Sequence, residues 1–146
     1  NVLDTYNVGS IFRLADAVAA EKVYLCGETL TPPNSRIKKA SINTWQWVNW
    51  EYVETAKKAV SKLKSASRRM KIIAVEQDER SKPFYEVNYD LPLASVVGNE
   101  TTGVSKEVLD RADMIVELPM WGINKSLNVM VSLGIVLYEI AKHYDH

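Results

Sequence analysis

Residues 118–129, read as Leu118-Pro119-Met120-Trp121-Gly122-Ile123-Asn124-Lys125-Ser126-Leu127-Asn128-Val129, constrain this chain more than any other stretch. An apolar run from Met114 to Leu118 enters a Pro/Gly loop, and Ser126-Leu127-Asn128 then opens a long apolar helical pattern. That order exposes loop backbone and the first unpaired N–H groups of a helix, where a small ligand can sit. Two similar clusters lie upstream, Asn7-Val8-Gly9-Ser10-Ile11-Phe12-Arg13 and Gly98-Asn99-Glu100-Thr101-Thr102-Gly103-Val104. Each follows a turn signal and precedes a helical pattern. Three polar loop-to-helix junctions in one small chain suggest a single composite site.

Alternating helical and strand patterns argue for an α/β fold with a mostly parallel sheet and helices on both faces. Helices are expected over Val8–Ala19, Thr55–Arg69, Ser105–Ala112 and Ser126–Tyr144, with a short helical turn over Arg36–Ala40. Strands are expected over Lys22–Cys26, Val48–Val53, Lys71–Val75, Leu93–Val97 and Met114–Leu118, with Gln77–Pro83 a polar loop. The last helix shows almost no polar face over its first three turns. A helix apolar all round is buried on all sides, and a chain of 146 residues offers its far side little cover. A homodimer interface is the expected consequence.

That length fits one domain, and 47% apolar with 25% charged residues is an ordinary globular balance. The net charge is zero, which excludes a strongly basic whole-chain footprint for nucleic acid but leaves room for a local patch. The single cysteine, Cys26, ends an apolar run, and an inert buried thiol is expected there. No signal peptide or membrane-length apolar stretch occurs, so the cytoplasm is the default location. The start at Asn1 without methionine fits a trimmed chain.

The clusters exclude several chemistries. Gly98 and Gly103 have P-loop spacing, but no Lys-Ser/Thr follows; GxGxxG and GxSxG are also missing. No HExxH occurs, His143 and His146 sit at the far end, and no metal site is expected. Gly98 closes a buried strand with Glu100 in the loop beyond it, where open α/β sheets place ligands; a turn needing two glycines is the plainer alternative. Gly9, which lies between Asn7 and Arg13, permits close backbone approach. Arg13 is either a ligand-directed guanidinium or a solvated helix charge. Ser126 suits an N-cap, and Asn128, read as lying inside the first turn, is a poor helix former that needs another reason to be there.

Together the segments NVGSIFRLADA (7–17), VVGNETTGVSKEVLDRAD (96–113) and ELPMWGINKSLNVMVSLGIVLYE (117–139) resemble, in order and spacing, the signature motifs of the SpoU (TrmH-type) RNA ribose 2′-O-methyltransferases of the SPOUT superfamily. The resemblance covers nearly the whole chain. It implies a single catalytic domain over residues 1–146, with a deep C-terminal trefoil knot, a homodimer, and S-adenosylmethionine as methyl donor. It implies cofactor contacts from Gly98, Leu118 and Leu127, with Met120 and Gly122 on the same loop. It sets Asn7, Arg13, Glu100, Ser126 and Asn128 around the reacting ribose of a tRNA or rRNA. Arg13 then activates the 2′-hydroxyl; a guanidinium with pKa above about 12 suits charge stabilisation better than proton abstraction. Methylation of a base instead of a ribose, and a non-catalytic knotted RNA-binding dimer, are the alternatives.

The chain departs from that family in places. Only Val2 and Leu3 are expected to remain of the family's first strand, and no N-terminal RNA-binding extension is expected. Where relatives usually read Ala-Leu-Gly-Ala, this chain reads Ala40-Ser41-Ile42-Asn43-Thr44-Trp45-Gln46-Trp47. The two tryptophans are expected as core or interface filler, with base stacking the alternative. Arg36, Lys38 and Lys39 form a small basic cluster that either touches phosphate or is simply solvated.

Overall fold

Among the residues described by the computed structural model, 1–144, every strand ladder runs parallel. The elements alternate as expected: α1 (Thr5–Ala17), β1 (Val23–Cys26), α2 (Ser35–Ser41), β2 (Trp50–Val53), α3 (Ala56–Ala66), β3 (Lys71–Val75), β4 (Lys82–Pro83), β5 (Leu93–Val96), α4 (Lys106–Arg111), β6 (Met114–Glu117) and α5 (Val129–Ala141). The strands form a two-stranded sheet, β1-β2, and a four-stranded sheet ordered β4-β6-β3-β5. The chain clusters into two compact units, residues 1–59 and Val60 onward. No described helix is long and apolar enough to cross a membrane. His146 lies outside the described residues.

In the first unit, α1 begins earlier than the sequence pattern suggested. The Asp4 carboxylate accepts from the Tyr6 N–H at 2.8 Å and caps the helix. Asn7 and Gly9 therefore lie inside α1, not at a loop-to-helix junction, and Val2 packs into the core. Gly9 serves helix packing: a Cβ there would collide with the Ala40 side chain and the Ser41 backbone of α2. The core joins Val8, Phe12, Leu25 and Ile37, with Trp45 and Trp50 packed against it. Trp45 is thus the filler expected of it. Trp47 is instead 59% exposed, its ring N–H donating to Asp16 at 2.7 Å. Arg36, Lys38 and Lys39 all lie exposed on α2. Burial pushes the Cys26 thiol up from its ordinary pKa, which keeps the reactive thiolate scarce at neutral pH.

In the second unit, β3 is central, paired with β5 at Ile72↔Ala94 and with β6 at Ala74↔Ile115. Such a strand is covered on both faces, which explains why Lys71–Val75 reads as an unbroken apolar run. Strand β4 is a two-residue piece inside the expected loop, too short to leave a periodic signal. Ile73, Val116, Tyr89, Val136 and Ile140 form the core, so one side of α5 packs here. Its other side does not: Val131, Ile135 and Tyr138 are exposed.

Candidate active site

Strands β3, β5 and β6 end side by side at Val75, Val96 and Glu117, and the segments that follow enclose a cavity of about 430 Å³. That volume is within the range of roughly 300–1,000 Å³ typical of small-molecule sites, and the carboxyl ends of parallel strands are where such sites form. Gly98, Glu100, Leu118, Met120, Ser126 and Leu127, all singled out from the sequence, line it.

The 98–104 loop is built by its own hydrogen bonds. Asn99 and Gly103 exchange backbone bonds at 3.1 and 2.9 Å, and the Asn99 side-chain oxygen accepts from Thr101 and Thr102 at 2.8 and 3.0 Å. Gly103 adopts φ +71°, a left-handed conformation that favours glycine. A Cβ at Gly98 would collide with the Gly103 backbone, so the two glycines let the loop fold on itself. The plainer reading of this pair, a turn needing two glycines, is realised at the cavity wall.

Glu76 and Gln77, just past β3, were missed in the sequence. The Glu76 carboxylate accepts from the Val104 and Gln77 N–H groups at 2.9 Å each, tying the 98–104 loop to β3. Gln77 donates its side-chain amide to the Lys125 carbonyl at 2.6 Å and so braces the 118–128 loop. The signal available was their place after a buried strand; no motif marks them.

Two candidates of the second unit stand outside the cavity lining. Gly122 is exposed, with nothing within 4 Å of a Cβ built there. Asn128 is the N-cap of α5, accepting from Met130 and Val131 at 2.8 and 3.3 Å. This corrects the expected helix start at Ser126, which lies exposed in the preceding loop, and it supplies the reason for an asparagine at 128. Asn7 and Arg13 belong to the first unit, both on α1, Asn7 buried and Arg13 exposed. Six positions separate them, about 9 Å along a helix axis and a third of a turn around it, so they occupy different faces.

The cavity's electrostatics are one-sided. Glu76, Glu100 and Glu117 line it, and among the described residues no lysine or arginine does. A phosphate or other anion is a poor fit. A cation with an apolar portion fits well, because Leu118, Met120, Leu127 and Val97 supply an apolar wall beside the carboxylates. S-adenosylmethionine, whose sulfonium and ammonium outweigh its one carboxylate and which carries an aromatic ring, has that character.

Comparison with known proteins follows the same line. Residues 1–138 match the family described as the SpoU rRNA Methylase family. The chain is 37% identical over 149 residues to a tRNA (guanosine(18)-2′-O)-methyltransferase of Aquifex aeolicus, covering 99% of this chain and 67% of that protein. It is 34% identical over 137 residues to the Escherichia coli protein of the same name, covering 92% of this chain and 57% of that one. Among solved structures, the Aquifex aeolicus TrmH/SpoU tRNA modifying enzyme aligns with a TM-score of 0.85 at 33% identity, over 97% of this chain and 71% of that one. An AdoMet-bound rRNA methyltransferase from Sinorhizobium meliloti aligns with a TM-score of 0.90 over 100% of this chain and 55% of that one; at 24% identity it shows a shared fold. The chain therefore spans between 55% and 71% of these relatives' lengths. The matched residues include the clusters at 7–13, 98–104 and 118–129, and this chain belongs to the SpoU rRNA methylase family.

Proposed function

We propose that this chain is the catalytic domain, over residues 1–146, of an S-adenosylmethionine-dependent methyltransferase acting on a ribose 2′-hydroxyl of tRNA or rRNA in the cytoplasm. One observation carries the reading: a cavity at the carboxyl ends of the central strands, lined by Glu76, Glu100, Glu117 and apolar residues, with no lysine or arginine among the described residues that line it. The 37% identity to a tRNA (guanosine(18)-2′-O)-methyltransferase supports ribose over base as the acceptor. The knotted C-terminus that the family resemblance implies belongs to the same proposal.

When bound, the cofactor supplies an electrophilic methyl group. The protein's part is to hold it and to prepare the acceptor. Leu118, Met120, Leu127 and Gly98 are assigned to the cofactor's apolar and backbone contacts, with Gly122 acting through the loop that carries them. Glu76, Glu100 and Glu117 favour its positive charge. Arg13 is assigned to the acceptor: as the hydroxyl proton leaves, negative charge grows on the 2′-oxygen, and a guanidinium stabilises that charge without needing to take the proton. Asn7 and Ser126 are assigned to the ribose pocket, and Asn128 fixes the helix start that follows Ser126 and Leu127. Holding the oxygen near the methyl carbon supplies much of the rate, since it removes the entropy of encounter.

A homodimer through α5 is part of the proposal. Leu127 and, on α5, Val131, Ile135 and Tyr138 are exposed at spacings of four, four and three, a single apolar stripe. Exposing such a stripe to water is unfavourable, and a second copy offers the matching surface.

The test is incubation with S-adenosylmethionine carrying a labelled methyl group and total RNA, followed by nucleoside mapping. The expected product is a 2′-O-methylated nucleoside at a site resistant to alkaline cleavage. Label on a base would assign the chain to base methylation. Cofactor binding without transfer to any RNA would assign it to a non-catalytic binding role.

A further inference from the structure

The chain's zero net charge hides an uneven distribution. Residues 57–71 hold seven lysines and arginines, and no aspartate or glutamate occurs between Glu54 and Glu76. No residue of that segment is an exposed large apolar side chain, so the surface it makes is ill suited to a hydrophobic partner.

In the second unit, part of this segment shapes a concave notch. Ser61, Lys64 and Ser65 of α3 and Arg111 of α4 line an open cavity of about 430 Å³ with Val60. Arg111 donates one N–H to the Ser61 hydroxyl at 3.1 Å, and a guanidinium with five donors has others to offer. Lys64 sits 3.2 Å from Asp113, whose carboxylate also accepts the Ile72 N–H at 2.8 Å. The nearby acid Asp110 pairs with Arg80 at 2.9 Å. Lys62, Arg68, Arg69 and Lys71 flank the notch in sequence and are exposed.

The notch and the carboxylate-walled cavity have opposite chemistry and lie toward opposite ends of the strands. Helix α3 leads into the start of β3 and α4 into the start of β6, whereas the carboxylate cavity lies beyond the ends of those strands. At about 3.3 Å per residue, strands of this length set the two regions apart by on the order of 15 Å. A single nucleotide cannot reach both, but a folded polynucleotide can.

We propose that this basic surface, the Ser61–Lys64–Ser65–Arg111 notch with Lys62, Arg68, Arg69 and Lys71 beside it, docks the phosphate backbone of RNA at a distance from the reacting ribose. Arginine, lysine and serine hydroxyls are the groups that grip phosphate oxygens without reading sequence. The surface therefore contributes affinity and orientation, and the chemistry stays at the carboxylate cavity. This inference rests on the RNA methyltransferase reading above.

The test is fluorescence anisotropy of end-labelled bulk tRNA against the wild-type protein and two variants, Arg68→Gln/Arg69→Gln/Arg111→Gln and Lys62→Gln/Lys71→Gln. Thermal melting verifies that each variant folds, and the second leaves the Arg111–Ser61 hydrogen bond intact. The triple variant is expected to bind tRNA about tenfold or more weakly, with the slope of log affinity on log salt reduced by about one unit for each phosphate no longer held. S-adenosylmethionine affinity is expected to hold, and KM for RNA to rise while kcat stays. Unchanged tRNA affinity and salt slope in both folded variants would overturn the proposal. So would unchanged tRNA binding with loss of poly-glutamate binding, which would give the surface to an acidic polypeptide. A wild-type protein that binds tRNA through these residues but transfers no methyl group sinks the catalytic reading and leaves the docking surface standing.

Discussion

At the scale of single residues, Arg13 and Gly103 show how differently a side chain and its absence contribute. Arg13 is exposed on α1 and is assigned to the charge that develops on the acceptor oxygen. Arg13→Ala is expected to lower kcat for methyl transfer by about 10²-fold or more, the scale set by removing one charge-stabilising donor. S-adenosylmethionine affinity by calorimetry is expected to stay as in wild type, and full transfer in the variant would remove Arg13 from the mechanism. Gly103 acts through its backbone. Gly103→Ala forces an L residue into the left-handed region, costing about 1–2 kcal/mol, and drives a methyl group into the Glu76 carboxylate. We expect a lower denaturation midpoint and weaker cofactor binding together, because Glu76 holds the loop through the Val104 N–H. Tyr89 is a third case. It is buried, and its hydroxyl donates to the Phe84 carbonyl at 2.5 Å. Burial first, and the Glu139 charge second, push its pKa up to about 12. A raised native pKa means that the neutral form is preferred on folding. That stability is fully present below the ordinary tyrosine value near 10 and is lost as pH rises toward 12. Melting temperature should therefore fall more steeply between those pH values in wild type than in Tyr89→Phe.

At the scale of elements, caps decide where helices begin, and here they move two of the candidate residues. Asp4 starts α1 before Asn7, and Asn128 starts α5 after Ser126. Ser126 and Asn128 should then separate by experiment. Asn128→Ala is expected to cost about 1 kcal/mol of stability in chemical denaturation, the usual loss of an N-cap oxygen. Ser126→Ala is expected to leave stability within about 0.5 kcal/mol, as for an exposed loop position, while lowering methyl transfer. Equal stability losses for the two would contradict the cap assignment. The same elements show why local reading succeeded where it did. Lys71–Val75 was bounded correctly because a strand covered on both faces is a short apolar run between polar residues. Ser105, where the α4 helix was expected to start, is its N-cap, its hydroxyl accepting from the Val108 N–H three residues on at 3.4 Å. Asp4 was overlooked because a cap is recognised from the apolar pattern after it, and buried Asn7 and Gly9 break that pattern.

At the scale of the whole molecule, α5 has apolar sides that meet different fates. Val136 and Ile140 are fully buried in the second unit's core, while Val131 is 50% and Tyr138 56% exposed. With a homodimer as the proposed cover, Val131→Glu/Ile135→Glu is expected to halve the mass measured by light scattering. A wild-type protein that already runs at the mass of one chain would end that proposal. The whole molecule is also the scale at which the charge segregation over residues 57–71 acquires a meaning that a zero net charge conceals.

The boundary between what the sequence determined and what the tertiary structure decided follows the range of the interactions involved. The order of elements apart from β4, the parallel character of the strands and the motif residues at 98–104 and 118–128 could be read directly. Periodicity, glycine placement and most capping depend on neighbours within a few positions. Only the sheet order β4-β6-β3-β5 brings the ends of β3, β5 and β6 together, and with them Glu76, Glu100 and Glu117 around one cavity. Those three carboxylates carry no shared motif, and the Gln77–Lys125 hydrogen bond that braces the wall spans 48 positions. Long-range pairing of this kind is set by strand register and burial, which no local pattern encodes.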